Sequence, residues 1–345
     1  MWKDSRLMQG RGKTMNGATN ISNSAKLKYS HLNSIVKEYS FIFVFLALCI
    51  LLSILVPTFL LPQNLLNVLI QISINALLAI GMTFVIISGG IDLSVGSVAA
   101  LAGIVVTALL KQYPSSTPMM YVIIIFSVLA VGIVCGGISG LAIAKLNVEP
   151  FIATLAMLSI ARGFAFVYTQ SKPIFGLPPA FSWIGQGYVG PIPVIVLIMI
   201  FCLVIAHIVL SKTCFGRYIY AIGSNEEVAK LCGINVARVK LIIYVISGVL
   251  SALGGVALAS RLATGQPAAA SGYELNAIAA VVLGGTSLSG GKGSIGKTII
   301  GIMTIGVINN GLSLLQISSY WQSITMGLII MIAVILDKIN TRKKA

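Results

Sequence analysis

Charged residues are scarce in this chain, and acidic residues are the scarcest of them. Only 9% of the 345 residues are charged, whereas a soluble domain carries about a quarter. Asp and Glu together number eight and His two, and none of them is spaced like a nucleophile with its base. The sequence therefore argues against an ordinary soluble domain. We find no catalytic constellation, so we expect no enzymatic activity and no cofactor in this chain.

Cysteines are also few, and their number is odd. The five are Cys49, Cys135, Cys202, Cys214 and Cys232, and their spacing matches neither metal sites nor redox motifs. Four lie within or beside apolar stretches, where a thiol packs as a small apolar group. We predict no disulfide and no metal site.

Apolar residues are correspondingly abundant: 57% of the chain is hydrophobic and its mean hydropathy is +0.99. A helix needs about 20 apolar residues to cross the hydrocarbon core, and most of ten apolar stretches reach that length. Two of them, Leu93–Leu110 and Tyr273–Leu283, are shorter and suggest re-entrant or broken helices. The other eight are Phe41–Leu61, Leu66–Ile87, Met119–Ala144, Pro150–Tyr168, Pro191–Leu210, Leu241–Ala259, Ile295–Leu315 and Tyr320–Leu336. The sequence predicts an all-α polytopic membrane protein with about ten transmembrane helices.

The positive charge follows the gaps between these stretches. With a cytoplasmic N-terminus, 19 of the 23 Lys and Arg residues lie in gaps on the inner side, as the positive-inside rule requires. Both termini are therefore expected in the cytoplasm. The formal charge of +15 is spread over separate loops, so we expect lipid and no nucleic acid as a partner.

Three regions follow from this pattern. Residues 1–40 form a polar cytoplasmic segment that lacks the short basic start and early apolar core of a signal peptide. Residues 41–337 form the transmembrane domain, with a cytoplasmic loop at 211–240. Residues 338–345 form a basic cytoplasmic tail.

The 211–240 loop contains a predicted short helix, about Asn225–Cys232. Ser224 with Glu227 three residues later matches a capping box, and Gly233 is suited to end the helix. Its apolar face belongs to no membrane span, so we expect it to pack either on a protein partner, or on its own bundle or the lipid surface. That face consists of Val228, Leu231 and Cys232.

Polar side chains inside the apolar stretches are candidates for a translocation path or a gate. Asp92, followed by Ser94, either caps the helix that begins nearby or contacts the solute. Arg162 needs a partner or a water-filled space, and the sequence does not reveal the partner. The amides either join helices or line a polar path; they are Asn75, Asn309 and Asn310.

Glycine patterns allow several interpretations. Gly132, Gly136 and Gly140 lie on one helix face and favour close packing within the bundle, with a dimer contact as the alternative. The segment Gly89–Gly96 is echoed by Gly284–Gly291, through either a parallel repeat or glycine bias. The proline-rich stretch from Gln170 to Gly190 is either an interfacial turn or a landing surface for an external partner.

Residues Gly291–Thr298 match the phosphate-binding pattern G-x-x-x-x-G-K-T in full. Only 47 residues follow Thr298, and most of them belong to two apolar stretches. No α/β nucleotide-binding domain fits there. We therefore interpret the match as coincidental and the segment as a glycine-rich cytoplasmic turn.

Four ordered motifs resemble the membrane permeases of ribose-type ABC sugar importers. They are Gly89-Gly90-Ile91-Asp92-Leu93-Ser94-Val95-Gly96-Ser97, Asn147 with Pro150–Leu155 and Arg162-Gly163, Gly216-Arg217 through Ala221–Glu227 to Gly233-Ile234, and Gly284–Gly291. The resemblance covers about residues 40–337. It implies a bacterial cytoplasmic (inner) membrane protein that pairs with a second permease subunit, identical or different. It also implies an extracytoplasmic sugar-binding protein and a cytoplasmic ABC ATPase subunit as partners.

In that family the 225–232 helix would couple the permease to its ATPase. The coupling candidates carried over are Ser224, Asn225, Glu226, Glu227, Ala229 and Gly233. We therefore predict a permease subunit that moves a monosaccharide, ribose or a related sugar, inward by alternating access. The alternative is an ATPase-independent secondary transporter or channel for a small polar solute. The motifs do not identify the sugar.

Overall fold

The computed structural model describes residues 40–113 and 117–342. Residues Leu48–Ala345 form one compact unit; Ser40–Ala47, the described part of the other unit, is helical. The predicted polar segment 1–40 lies outside the described residues except for Ser40, and so do residues 343–345 of the predicted tail. The described elements are α1 Ser40–Leu55, α2 Pro62–Ile87, α3 Val95–Gln112, α4 Thr117–Lys145, α5 Pro150–Thr169, α6 Pro179–Gln186, β1 Tyr188–Val189, β2 Ile192–Pro193, α7 Val194–Lys212, α8 Cys214–Ser224, α9 Glu226–Leu231, α10 Val236–Leu262, α11 Tyr273–Leu283, α12 Ile295–Leu314 and α13 Ser319–Arg342.

Each of the ten predicted spans coincides with an apolar helix. Seven described helices are long and apolar enough to cross a membrane, and three shorter apolar helices occupy the remaining spans. Helix α3 is among the seven. Helix α11 has 11 residues and is therefore about 16 Å long, about half of the hydrocarbon thickness. The all-α polytopic prediction is confirmed.

Glycines end α2 and α11 in the same way. Gly89 and Gly285 have φ of +88° and +82°, a left-handed conformation that costs glycine little. Their N–H groups donate to Ile86 O at 2.9 Å and to Val282 O at 2.8 Å. The first glycines of the two similar segments therefore play the same part in ending a helix. Their similarity does not require a duplication.

Helix α10 packs against α2, α3 and α4. Its contact with α4 runs along the three predicted glycines: Gly132 lies against Val249, Gly136 against Tyr244 and Gly140 against Leu241. Because these glycines have no side chain, the two backbones approach closely. The preferred interpretation of this glycine face, packing within the bundle, is confirmed.

Replacing Gly136 with Leu is expected to separate α4 from α10. A Cβ at this position collides with the carbonyl oxygen of Tyr244, and inserting methylenes into a packed core costs about 1–3 kcal/mol or more. Gly137→Leu is the matched control, since a Cβ at Gly137 meets nothing within 4 Å. Yield and thermal stability of the detergent-solubilised protein measure the effect. Equal losses in both variants would contradict the packing described here.

Candidate functional site

The short helix predicted in the 211–240 loop is present, but its cap differs from the prediction. Helix α9 spans Glu226–Leu231, and Asn225 is its N-cap, with Oδ1 accepting the N–H of Val228 at 3.0 Å. Ser224 ends α8 instead, where its hydroxyl donates to Tyr220 O at 2.8 Å. The predicted capping box of Ser224 and Glu227 is therefore wrong, because α8 continues through Ser224 and the chain turns at Asn225. Gly233, with φ of +80°, follows the end of α9 as predicted.

Helix α9 presents apolar side chains to solvent. Leu231 is 88% exposed and Val228 is 51% exposed, whereas Ala229 is buried against the rest of the chain. Cys232 is also exposed. The exposure of Leu231 argues against packing on its own bundle and leaves a protein partner or the lipid surface as the alternatives for this face.

An ion pair joins α9 to α10. Glu226 Oε2 accepts from Lys240 Nζ at 2.6 Å, and Glu226 Oε1 lies 3.2 Å from Lys230 Nζ. Partial burial opposes ionisation of Glu226, but the hydrogen bonds from Lys240 and Lys230 outweigh it and hold the pKa of this carboxyl below its usual value. The pair therefore persists above the ordinary carboxyl pKa and is lost as pH falls through the lowered one. Glu227 is largely exposed and pairs with Lys230 at 3.0 Å.

Asp92 and Ser94 lie in the connection between α2 and α3, and Asp92 is 2% exposed. Asp92 Oδ1 accepts from the N–H of Ser94 at 2.9 Å and from its hydroxyl at 2.6 Å. Asp92 Oδ2 accepts from the hydroxyl of Ser247, on α10, at 2.7 Å. Asp92 thus fixes the start of α3 and also joins it to α10.

The structure supplies the partners of Arg162 that the sequence did not reveal. Arg162 Nη1 donates to Pro267 O at 2.8 Å and to Ala269 O at 2.7 Å, in the connection between α10 and α11. Glu274, in the first turn of α11, interacts electrostatically with Arg162. A Cβ at Gly96 would collide with Glu274 Oε2 and Ala270 O. Arg162 and Glu274 therefore form a polar centre where the starts of α3 and α11 meet. Asp92 and Ser94, also at the start of α3, make their contacts with each other and with α10 instead.

The three candidate asparagines lie on α2 and α12. Asn310 exchanges amide hydrogen bonds with Asn64 at 2.8 and 3.1 Å, which joins α12 to α2. Asn75 is buried and donates to Gln71 O of its own helix at 3.5 Å, and its Oδ1 has no partner within the described part of the chain. Asn309 is buried on α12. The Asn310 pair supports the helix-joining interpretation for that residue.

Sequence reasoning missed Glu274, Ser247 and Asn64. Glu274 is an acidic residue in the first turn of a short apolar helix, a position that helix N-termini favour. That signal was available in the sequence. Ser247 and Asn64 carry no local signal, because their partners lie 155 and 246 residues away along the chain.

The P-loop-like segment Gly291–Thr298 consists of the end of the predicted turn between α11 and α12, up to the N-cap Ser294, and the first turn of α12. The N–H of Gly291 donates to Ile87 O at 2.8 Å, so this amide is occupied by packing. Thr298 is buried, with its hydroxyl 3.1 Å from that of Thr83 on α2. The segment follows helix α11, whereas a P-loop follows a strand.

The stretch from Gln170 to Gly190 contains α6 and the start of a two-stranded hairpin. Phe181 is fully buried, and the hydroxyl of Ser260, on α10, donates to its carbonyl at 2.5 Å and accepts from the N–H of Gly185 at 2.8 Å. Trp183 and Tyr188 are exposed. The segment is thus anchored to the end of α10 and leaves aromatic side chains outward.

Seven described helices of membrane-spanning length, a half-length apolar helix that begins at a polar centre and one short exposed helix are the architecture of a polytopic membrane protein. Comparison with known proteins agrees. The model of the branched-chain amino acid transport system / permease component family matches residues 64–334.

Comparison with curated relatives assigns the chain to a narrower group within that family. The ribose import permease protein of Bacillus subtilis is 48% identical over 313 residues, which cover 90% of this chain and 96% of that protein. The ribose import permease protein of Haemophilus influenzae is 45% identical over 314 residues, which cover 90% of this chain and 95% of that protein. The L-arabinose transport system permease protein of Escherichia coli is 38% identical over 335 residues, which cover 95% of this chain and 98% of that protein. No solved structure matches the chain. The chain belongs to the ribose-type family of ABC importer permeases.

Proposed function

We propose that this chain is the permease subunit of an ABC importer that moves ribose or a related monosaccharide into the cell across the cytoplasmic membrane. The observation that carries the mechanism is the connection from the exposed helix α9 through Glu226 and Lys240 to α10. The sugar follows from the relatives, whose names specify ribose and L-arabinose import or transport. A separate ABC ATPase subunit hydrolyses ATP, and a second permease subunit completes the path.

The contacts suggest how movement at the ATPase reaches the membrane. Leu231 and Val228 offer an apolar surface to the ATPase, and the Glu226–Lys240 pair at 2.6 Å transmits displacement of α9 to α10. Helix α10 holds Asp92 through Ser247, so a shift of α10 repositions the start of α3. The sugar-binding protein and ATP change the populations of inward and outward states only by binding one of them more tightly.

The sugar-binding protein is placed on the opposite face. Two of the few cations predicted on that side, Lys111 and Lys172, line one cavity of about 510 Å³ together with Gln112, Tyr168 and Thr169. Opposite charges across an interface steer association and set register. We place an acidic surface of the binding protein over this cavity.

Reversing both charges, Lys111→Glu with Lys172→Glu, is expected to weaken binding-protein association about tenfold or more, because like charges then face each other. Titration of the purified binding protein onto the permease in nanodiscs measures the affinity. Arg261→Glu is the control, since Arg261 is predicted on the same side and does not line the cavity. An equal loss in the control, or none in the double variant, would place the docking surface elsewhere.

Uptake of radiolabelled ribose tests the function itself. The chain is expressed with the ATPase and binding protein from its own source in a strain that lacks its own ribose permease. Accumulation above the external concentration is expected with the full chain and not with the partners alone. Failure to accumulate ribose, with L-arabinose and galactose also excluded, would refute the proposed substrate class.

A further inference from the structure

A cavity of about 330 Å³ lies beside α9, inside a single permease subunit. Ligand pockets in proteins generally measure about 300–1,000 Å³. Its walls come from four places: the end of α2, the α4–α5 connection, the α8–α9 junction and the first turns of α10. The residues that matter below are Gly90, Asn147, Val148, Glu149, Lys240 and Tyr244.

The hydroxyl of Tyr244 is the unexplained group of this cavity. Tyr244 is 1% exposed, and its hydroxyl has no hydrogen-bond partner among the residues that the structure describes. The hydroxyl lies against Gly90, which lines the cavity too, and a Cβ at Gly90 would collide with it. A buried polar group without a partner costs about 1–3 kcal/mol. A ligand hydroxyl at the inner wall of the cavity would remove that cost.

The ionisable side chains that line the cavity indicate what charge its ligand should carry. The ionisable side chains are two carboxylates, Glu149 and Glu226, and one ammonium, Lys240, which leaves a net charge of −1. Glu226 is already paired with Lys240, whereas Glu149 and Asn147 are exposed at the mouth. Carboxylate and amide oxygens accept hydrogen bonds from hydroxyls. The lining therefore suits a neutral polyhydroxylated molecule and disfavours a phosphate.

We propose that this cavity binds free pentose from the cytoplasmic side, with the Tyr244 hydroxyl as the innermost donor. The choice of sugar rests on the proposed function. Asn147 and Lys240, which line the cavity, lie in gaps predicted to be cytoplasmic, and Glu226 of α9 forms part of its wall. Sugar bound here therefore contacts α9 directly.

Equilibrium dialysis of the purified permease in nanodiscs against radiolabelled ribose tests the site. Wild type is expected to bind ribose saturably, and an excess of ribose 5-phosphate should not displace it. Tyr244→Phe removes only the hydroxyl and is expected to weaken binding about fivefold, the value of one hydrogen bond. Val148→Trp fills the mouth and is expected to abolish binding. The matched control is Tyr218→Phe, because Tyr218 is partly exposed on α8 and does not line the cavity.

The outcomes separate this proposal from the transport function. No saturable binding in a permease that supports uptake refutes the cavity site and leaves the function intact. Binding that neither Tyr244→Phe nor Val148→Trp changes, or that ribose 5-phosphate competes for equally, also refutes it. Absent uptake refutes the function, and the dialysis with ribose still decides the site by itself. Selective weakening by Tyr244→Phe supports it.

Discussion

Replacing Leu231 with Asp is expected to abolish ATP-driven sugar uptake while the permease still folds. Leu231 is 88% exposed on α9, so the substitution removes no contact of a buried core. In a complex, an apolar side chain at the centre of an interface is worth about 2 kcal/mol or more, which is about 30-fold in affinity. An Asp there also buries an unpaired charge.

Two measurements separate loss of coupling from loss of folding. Co-purification of the ATPase with the tagged permease should fall with Leu231→Asp, and the melting temperature of the permease alone should not. Leu146→Asp is the matched control, because Leu146 is 74% exposed in a gap predicted to face the same side, outside α9. If both variants retain the ATPase and transport sugar normally, α9 is not the coupling surface.

Replacing Arg162 with Ala is expected to release the connection between α10 and α11. The guanidinium holds two backbone carbonyls, Pro267 O and Ala269 O, at 2.8 and 2.7 Å. Hydrogen bonds to charged groups contribute about 1.5–3 kcal/mol each, so the loss is on the order of 3 kcal/mol. Glu274 then loses its nearby cation as well. We expect lower thermal stability and at least about tenfold slower uptake.

Arg162→Lys distinguishes positioning from charge. It keeps the cation near Glu274 but loses the planar donor group that reaches both carbonyls. Partial recovery of stability and uptake is expected with Lys, and none with Gln, which is uncharged. Arg217→Ala is the control, since Arg217 is exposed on α8 and contacts neither the connection nor Glu274. Wild-type uptake by Arg162→Ala would exclude the polar centre from the path.

The helices were predictable because lipid leaves a spanning chain no other way to satisfy its backbone groups than helices or closed barrels. The local sequence shows this constraint as apolar runs about 20 residues long. The glycine face on α4 was likewise readable, since a spacing of four places Gly132, Gly136 and Gly140 on one side of a helix. That α10 is the helix packed on this face could not be predicted, because the sequence around those glycines does not indicate which helix they contact.

The cap of α9 shows where local reasoning fails. Ser224 and Asn225 are both good N-cap residues, and the choice depends on whether α8 ends before or after Ser224. That depends on α8 packing, including Gly223 against Ile87 O, a contact between residues far apart in sequence. The partners of Arg162 lie 105 and 107 residues away. Polar contacts in this bundle are long-range, and single-sequence patterns do not encode them.

The most direct test of the account compares two energy sources for uptake of labelled ribose by cells that carry the chain with its ATPase and binding protein. Depletion of ATP by arsenate should stop accumulation, and a protonophore that spares ATP should leave it largely intact. Accumulation that collapses with the protonophore and survives ATP depletion would contradict the importer assignment and favour a secondary transporter.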